Sequence, residues 1–133
     1  MGTAENLYRE GCRKGELRLF KCSSCGALEA FARDFCPRCG APDPSTVRAG
    51  GRGVVAAITV AHIAPNPEYR ALVPYGICLV DLDEGVRVMS NIVRDEGPDY
   101  PSVDPELVKI GARVRVVFHD VTDEITLPKF VLA

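Results

Sequence analysis

Hydrophobic and polar residues alternate in several short runs along the chain, and alternation of this kind indicates β-strands. In the second half of the chain the runs cover residues 54–63, 72–83, 86–93, 112–119 and 127–133. The fourth run is the most regular, with apolar and polar side chains on opposite faces: Val114, Val116 and Phe118 on one, Arg113, Arg115 and His119 on the other. The pattern therefore predicts five strands, each with one apolar face.

The first half of the chain contains shorter elements. Residues 3–14 predict a short helix, because Glu5 and Arg9 are spaced as an i,i+4 pair and Gly15 follows. Two strand-length segments follow at residues 16–21 and 28–32, and a Gly- and Pro-rich stretch at 40–53 predicts a junction. We therefore expect two domains, a helix with a small ribbon at residues 1–48 and a β-domain at residues 49–133.

One short helix interrupts the five predicted strands. A Pro-rich loop is expected at residues 64–71, and a tight turn at Asp83–Gly85. Asp104 followed by Pro105 predicts a helix of one or two turns that ends at Gly111. Five strands with a helix between the third and the fourth is the order of an OB-type Greek-key barrel, although an unclosed sheet or a sandwich also fits. The predicted fold class is mainly β, with an N-terminal helix and a rubredoxin-like zinc ribbon followed by a five-stranded OB-fold barrel.

Composition and charge narrow the classes of function. The 133-residue chain is 47% hydrophobic and 26% charged, which is typical of a globular protein. It has no apolar run long enough to cross a membrane and no export signal at its start, so we expect a cytoplasmic protein without a membrane partner. Residues 51–133 carry eight basic and twelve acidic residues, a net charge of −4. An acidic barrel argues against binding to nucleic acid.

Four of the six cysteines form two matching pairs, Cys22-x2-Cys25 and Cys36-x2-Cys39, ten residues apart. A two-residue spacing lets one tight turn direct both thiolates at a common point, and two such turns complete a tetrahedron around a metal ion. Each pair is followed by a glycine, which readily adopts the positive φ that such turns need. We predict a structural Zn²⁺ site with the ligands Cys22, Cys25, Cys36 and Cys39, closed to substrate and therefore not catalytic.

Other interpretations of these cysteines remain open at this stage. Iron in a rubredoxin-like site uses the same four thiolates, and disulfides or a catalytic dithiol are further alternatives. Cys78 lies in an apolar run and is expected to be a small buried residue, whereas Cys12 ends the first helix without a neighbouring base. His62 and His119 lie on different predicted strands and no nucleophile accompanies either of them. The sequence therefore predicts no catalytic residues.

With the ribbon and the barrel in this order, nearly the whole chain resembles a family of small zinc-ribbon plus OB-fold proteins that accompany thiolases and other acyl-CoA enzymes in bacteria and archaea. The resemblance rests on "GELRLFKCSSCG" and "CPRCG" in the ribbon. In the barrel it rests on "GRGVVAAITVAH", "PYGICLVDLDEGVRVMSNIV" and "VKIGARVRVVF". Members usually have a Phe-x-Pro-Arg-like run before the second cysteine pair, where this chain has "FARD".

The resemblance implies a non-catalytic accessory subunit, docked on a thiolase-like catalytic subunit in a hetero-oligomer with two copies of each. It further implies that a CoA thioester is bound jointly with the partner. The partner classes it implies are archaeal acetoacetyl-CoA thiolases, aldolases of steroid side-chain degradation, and the thiolase of the benzylsuccinate pathway. Arg33, Arg38 and Arg52 are candidates for contacting a CoA phosphate, but solvated surface charge is the favoured explanation, and we do not assign them to a site.

Two alternative functions belong to other classes. Zinc ribbons and OB barrels both occur in nucleic-acid-binding modules, which need a basic groove with stacking aromatic residues. Tyr69, Tyr75 and Tyr100, however, lie near or within Pro-containing segments rather than at alternating strand positions. A rubredoxin-like electron carrier is the other alternative, and it requires iron in place of zinc.

Overall fold

The structure is a computed structural model that describes residues 3–133, with the side chain of Glu68 outside the description. Its first part contains helix α1 (Thr3–Arg13) and strands β1 (Arg18–Lys21), β2 (Leu28–Glu29) and β3 (Ser45–Arg48). Its second part contains β4 (Arg52–Ala61), helix α2 (Pro67–Arg70), β5 (Tyr75–Leu82), β6 (Arg87–Ile92), a 3₁₀ turn (Pro105–Leu107), β7 (Arg113–Asp120) and β8 (Thr126–Leu132). Among these described residues, no helix is long and apolar enough to span a membrane.

The last five strands form a closed barrel in the order β4-β5-β6-β8-β7. Four of its five strand pairs are antiparallel. The barrel closes between β6 and β8 through one parallel pair, Ile92 with Phe130, and the Val93 N–H donates to the Phe130 carbonyl at 2.8 Å. The predicted five-stranded OB-like barrel is therefore confirmed, and the alternative of an unclosed sheet is wrong.

The barrel interior is apolar because the strands alternate as the sequence predicts. Along β5 every second residue is buried, including Cys78, Val80 and Leu82. On β7, Val114 is fully buried, and Val116 and Phe118 pack against the same core. Space is tight at Gly53, where a Cβ would stand 2.3 Å from the Asp81 carbonyl oxygen.

The ribbon forms a separate three-stranded sheet in the order β2-β1-β3. β1 leads directly into Cys22, and β2 follows the first cysteine pair. Leu17 and Leu19, at the start of this sheet, belong to the same hydrophobic core as the barrel residues. The helix, the ribbon sheet and the barrel therefore share buried surface, and the predicted boundary between residues 48 and 49 stays a prediction.

Four details of the predicted elements are wrong. The junction at residues 40–53 contains β3, which pairs with β1 along its whole length. All four β3 residues are exposed, so no apolar face marked the strand. The loop at residues 64–71 contains the single turn of α2, and the strand predicted at residues 28–32 ends at Glu29, where the chain bends towards Cys36. The short helix after Asp104 ends at Leu107, well before Gly111.

Candidate metal centre and adjoining apolar face

The structure brings the four predicted ligands together. The Sγ atoms of Cys22, Cys25, Cys36 and Cys39 all lie within 4.8 Å of one another. The Cys22 and Cys39 sulfurs are 3.5 Å apart, and those of Cys25 and Cys36 are 3.7 Å apart. Four thiols that converge in this way can bind a metal such as zinc in tetrahedral coordination.

Two turns of the same geometry hold the sulfurs in place. In the first, the Cys22 N–H donates to the Ala27 carbonyl (2.9 Å) and the Gly26 N–H donates to the Cys22 carbonyl (3.0 Å). In the second, the Cys36 N–H donates to the Ala41 carbonyl and the Gly40 N–H donates to the Cys36 carbonyl, both at 2.8 Å. Gly26 and Gly40 have φ of 75° and 77°, which glycine adopts without strain.

Backbone N–H groups point at two of the sulfurs, those of Cys22 and Cys36, and favour their thiolate form. The Cys25 N–H donates to the Cys22 Sγ, and the Arg38 N–H donates to the Cys36 Sγ, both at 3.4 Å. The hydrogen bond from Cys25 is the largest cause that lowers the pKa of Cys22 to about 6. For Cys36 a backbone hydrogen bond from Cys39 is the largest cause of a lowered pKa. The pKa of Cys39 is raised to about 12, because the backbone hydrogen bond from Ala41, which lowers it, is outweighed by the side-chain hydrogen bond with Cys22 and by burial. Four thiolates around a divalent cation would leave no open position for a substrate.

The remaining cysteines and histidines lie elsewhere. Cys78 is buried in the barrel and Cys12 is buried at the end of α1, and burial is the largest cause that raises the pKa of each thiol. Raised values make both thiols poor nucleophiles at neutral pH. His62 is exposed, and His119 is half-buried on the outside of β7.

The three arginines considered for CoA binding lie at the surface. Arg38 forms a 3.7 Å salt bridge with Glu29 and is 74% exposed. Arg33 is exposed on the ribbon, and Arg52 is exposed at the start of β4. This placement fits solvated surface charges, the explanation that the sequence favours.

An exposed apolar face, which the sequence analysis missed, covers the outside of β4, β5 and β6. Leu79 is paired with both Ala57 and Met89, and Ile77 lies next to it on the same outward side of β5. Met89 is 73% exposed. The signal was present in the sequence, because Met89 is an apolar residue at an outward position of its strand.

The apolar face continues into a groove of about 630 Å³ between α1, the ribbon and the barrel. The groove is lined by Glu5, Tyr8, Ala30, Phe31, Ala32, Leu79, Arg87, Val88 and Met89. Phe31 belongs to "FARD" and is 68% exposed, and Arg87 at the rim is neutralised by a salt bridge to Asp81 (2.7 Å). Contiguous exposed apolar surface with neutralised charges at its rim is typical of sites that contact another protein.

Comparison with known proteins identifies the family. The model of the family described as the C-terminal OB-fold domain of ChsH2 matches residues 46–119. A probable enoyl-CoA hydratase alpha subunit from Thermomonospora curvata is 33% identical over 124 residues, which are 93% of this chain. The chain spans about a third (36%) of that relative's length. A DUF35 domain-containing scaffold protein from Methanothermobacter thermautotrophicus is 31% identical over 105 residues, 78% of this chain and 72% of the relative.

Solved structures agree with this assignment. The structure described as an Ltp2-ChsH2(DUF35) aldolase superimposes with a TM-score of 0.82 at 30% identity, over 99% of this chain and 96% of the matched chain. A DUF35-family protein of unknown function from Sulfolobus solfataricus has the same fold, with a TM-score of 0.64 at 19% identity, over 100% and 87% of the two chains. The resemblance drawn from the sequence is confirmed, and the chain belongs to the DUF35 family of ChsH2-type OB-fold proteins.

Proposed function

We propose that this chain is a non-catalytic accessory subunit of an acyl-CoA enzyme complex. The observation that carries the proposal is the whole-length similarity to a chain of the Ltp2-ChsH2(DUF35) aldolase. The similarity to a hydratase subunit and to a scaffold protein supports the same role. A closed four-thiol centre agrees with it, because such a site offers no position for a reacting substrate.

The partner is a thiolase-like catalytic subunit, in a hetero-oligomer with two copies of each chain. The exposed apolar face and its groove supply a surface for that partner, since exposed apolar side chains such as Phe31 and Met89 gain most when another protein covers them. A CoA thioester is bound jointly with the partner. We place the complex in the cytoplasm, where reduced cysteines bind metal.

Zn²⁺ is the metal of the four-cysteine centre, with Cys22, Cys25, Cys36 and Cys39 as its ligands. When bound, it cross-links the two turns of the ribbon and has no chemical role in the reaction of the partner. The rubredoxin-like alternative predicts iron, which colours the protein. Metal analysis of the aerobically purified chain distinguishes zinc from iron. We expect about one zinc per chain. Visible absorbance from bound iron would contradict the proposal.

The nucleic-acid alternative fits the barrel surface less well. The outward side of β4, β5 and β6 carries Ala57, Ile77, Leu79 and Met89, whereas single-strand binding uses basic and aromatic side chains there. The aromatic residues Tyr69 and Tyr75 pack against each other at 5.3 Å. The surface composition therefore favours a protein partner.

The test is co-purification from native cells with a tag on this chain, followed by mass spectrometry. We expect an acyl-CoA enzyme of the thiolase superfamily in near-equal amount. A Met89→Asp variant should lose this partner while a Val47→Asp variant, which changes an exposed residue on the edge strand β3, should retain it. Recovery of the wild-type chain without an enzyme would contradict the proposed complex. If the Met89→Asp variant recovers as much enzyme as the wild type does, the exposed apolar face is not the docking surface.

A further inference from the structure

One side-chain hydrogen bond joins the cysteine-bearing part of the ribbon to the start of helix α1. The Asp34 side chain accepts from the Ala4 N–H at 2.9 Å, although thirty positions separate the two residues in the sequence. Ala4 is buried and lies in the first turn of α1, whose N–H groups have no acceptor within the helix. A carboxylate at this end also interacts favourably with the helix dipole. The ribbon therefore caps α1 from outside the helix.

The position of Asp34 depends on the turn that presents the second pair of sulfurs. Residues 30–34 lie in neither a helix nor a strand. The chain then forms a narrow hairpin around the second cysteine pair, in which the Asp34 carbonyl accepts from the Asp43 N–H at 2.9 Å and Phe35 forms a bridge with Pro42. A metal that holds this pair of sulfurs therefore also fixes the place from which the Asp34 side chain reaches α1.

The second half of α1 is held by contacts that do not involve the cysteine centre. Arg18, on β1, donates to the Leu7 carbonyl at 3.0 Å, and Arg13 donates to the Glu124 carbonyl at 3.2 Å. Cys12 is buried as well. In the first turn of α1, by contrast, the bond to Asp34 is the one hydrogen bond to another element among the described residues. The beginning of α1 thus depends on the ribbon more than its end does.

The apolar groove is built from both sides of this link. Glu5 and Tyr8 line it from α1, Phe31 lines it from the irregular ribbon segment, and Leu79 and Met89 line it from the barrel. The barrel wall is held by the pairing of β5 with β6. The other two walls are a helix end and a segment without strand pairing, so the Asp34 bond is well placed to hold them in register.

We propose that Asp34 is a positioning residue that couples the four-cysteine centre to the shape of the apolar groove. With metal bound, the hairpin holds Asp34 against the start of α1, and the helix and ribbon walls stand opposite the barrel wall. Without metal, the hairpin loosens, the cap is lost and these two walls separate. Docking of a partner in the groove then requires the metal, and this last consequence rests on the proposed function.

The first test compares amide hydrogen exchange in the complete zinc-loaded chain before and after zinc is removed with EDTA. The amides of Leu7 and Tyr8 are bonded to carbonyls of the first turn, so their exchange should become about fivefold faster or more when zinc is removed. Gly11 and Cys12, in the second half of α1, should keep their protection. Unchanged exchange at Leu7 and Tyr8, or equal loss of protection along the whole helix, would overturn the proposal.

Variants of Asp34 separate its role from a general effect of the metal. With zinc bound, an Asp34→Ala variant should already exchange Leu7 and Tyr8 about fivefold faster than the wild type and should respond little to EDTA. An Asp34→Asn variant should behave as the wild type does, because its side-chain oxygen still accepts the hydrogen bond. Arg33→Ala is the matched control in the same exposed segment. A wild-type response in the Asp34→Ala variant would contradict the coupling.

The coupling can also be measured without a metal-free sample, because it is reciprocal. In competition with a chelator, the Asp34→Ala variant should bind zinc about fivefold more weakly than the wild type, since the cap stabilises only the metal-bound form. The Asp34→Asn and Arg33→Ala variants should keep the wild-type affinity. Equal zinc affinity of the Asp34→Ala variant and the wild type would overturn the proposal, even if the chain precipitates without zinc.

Co-purification separates a failure of this inference from a failure of the proposed function. The Asp34→Ala variant should recover less of the catalytic partner than the Asp34→Asn variant does. If the wild type recovers no enzyme, the proposed function fails, while exchange and zinc competition in the free chain still decide the coupling. Equal recovery by the two Asp34 variants would overturn the dependence of docking on the metal.

Discussion

The ribbon and the barrel differ most in what lies at their centres. Of residues 22–48, only Cys22 and Cys36 are buried. In the barrel, residues from all five strands meet in one apolar core that includes Val55, Val80 and Phe130. Beyond β1, whose Leu19 and Phe20 are buried, the ribbon therefore has sulfurs where the barrel has packed hydrocarbon.

This difference decides which side chains each region can leave at its surface. A ribbon that is held by the proposed metal does not need all of its aromatic residues inside: Phe20 on β1 is buried, but Phe31 and Phe35 are 68% and 57% exposed. The barrel buries the single phenylalanine of β8, Phe130, almost completely. A metal-held element can thus present apolar residues to a partner without losing its own stability.

The largest expected effect comes from removing one sulfur ligand. A Cys36→Ser variant should lose the metal, because structural zinc sites depend on all four donors and contribute about 10–16 kcal/mol of apparent binding free energy. Amide hydrogen exchange should then show loss of protection across residues 22–48 and little change in β4–β8. A Cys78→Ala variant is the reciprocal control, since it should weaken the barrel and leave the metal bound. Global unfolding of the Cys36→Ser variant would show that the two regions are not separable.

The second comparison removes apolar packing from the barrel. A Phe130→Ala variant should lower the free energy of unfolding by about 3–5 kcal/mol, because it leaves a cavity where five strands meet. Urea denaturation measures this loss. A Met89→Ala variant, at an exposed position, should stay within about 0.5 kcal/mol of the wild type. Metal content should be unchanged in the folded fraction of both variants.

The same contrast explains how much of the molecule could be predicted from the sequence. The cysteine spacing and the alternation in residues 112–119 carry local information, and both the sulfur cluster and β7 are present as predicted. β3 was missed because its four residues are exposed and it is held only by pairing with β1. The cap on α1 was missed for a related reason, since its acceptor comes from Asp34, thirty positions after Ala4 in the sequence.

A smaller effect is expected from glycine substitutions, for different reasons in the two regions. A Gly53→Ala variant should lower the free energy of unfolding by about 1–3 kcal/mol, because its Cβ would meet the Asp81 carbonyl and overpack the barrel wall. A Cβ at Gly26 would meet no atom within 4 Å, so a Gly26→Ala variant loses stability only because alanine disfavours the positive φ at this position. We expect this loss to be about 1 kcal/mol.

Urea denaturation measures the free energy of unfolding of the Gly53→Ala variant. Competition with a chelator measures the metal affinity of the Gly26→Ala variant. The Gly26→Ala variant should bind metal several-fold more weakly with an unchanged urea midpoint for the barrel. A Gly26→Asn variant should recover part of the affinity, because asparagine tolerates positive φ. A weaker barrel in the Gly26→Ala variant would contradict the separation of the two regions.

The smallest expected effect concerns an exposed ion pair at the barrel rim. Arg113 donates two hydrogen bonds to Asp83 (2.9 and 3.0 Å), and the side-chain hydrogen bond is the largest cause that lowers the pKa of this carboxyl. Because the pKa of Asp83 is lower in the folded state, the ion pair stabilises the barrel fully at pH values above the unfolded-state pKa of about 3.9. This contribution disappears as the pH falls through the pKa that Asp83 has in the folded state. An Asp83→Asn variant should therefore lose less stability between pH 7 and pH 3 than the wild type.

The measurement must follow barrel residues alone, because acid also protonates the thiolates and releases the metal from the ribbon. Tryptophan is absent from the chain, so NMR of barrel amides during urea denaturation is the suitable signal. Asp123→Asn is the matched control, since Asp123 is exposed and forms no salt bridge within the described residues. Equal acid dependence for the Asp83 and Asp123 variants would mean that the rim pair adds nothing to the barrel, whose stability would then rest on its apolar core and strand pairing.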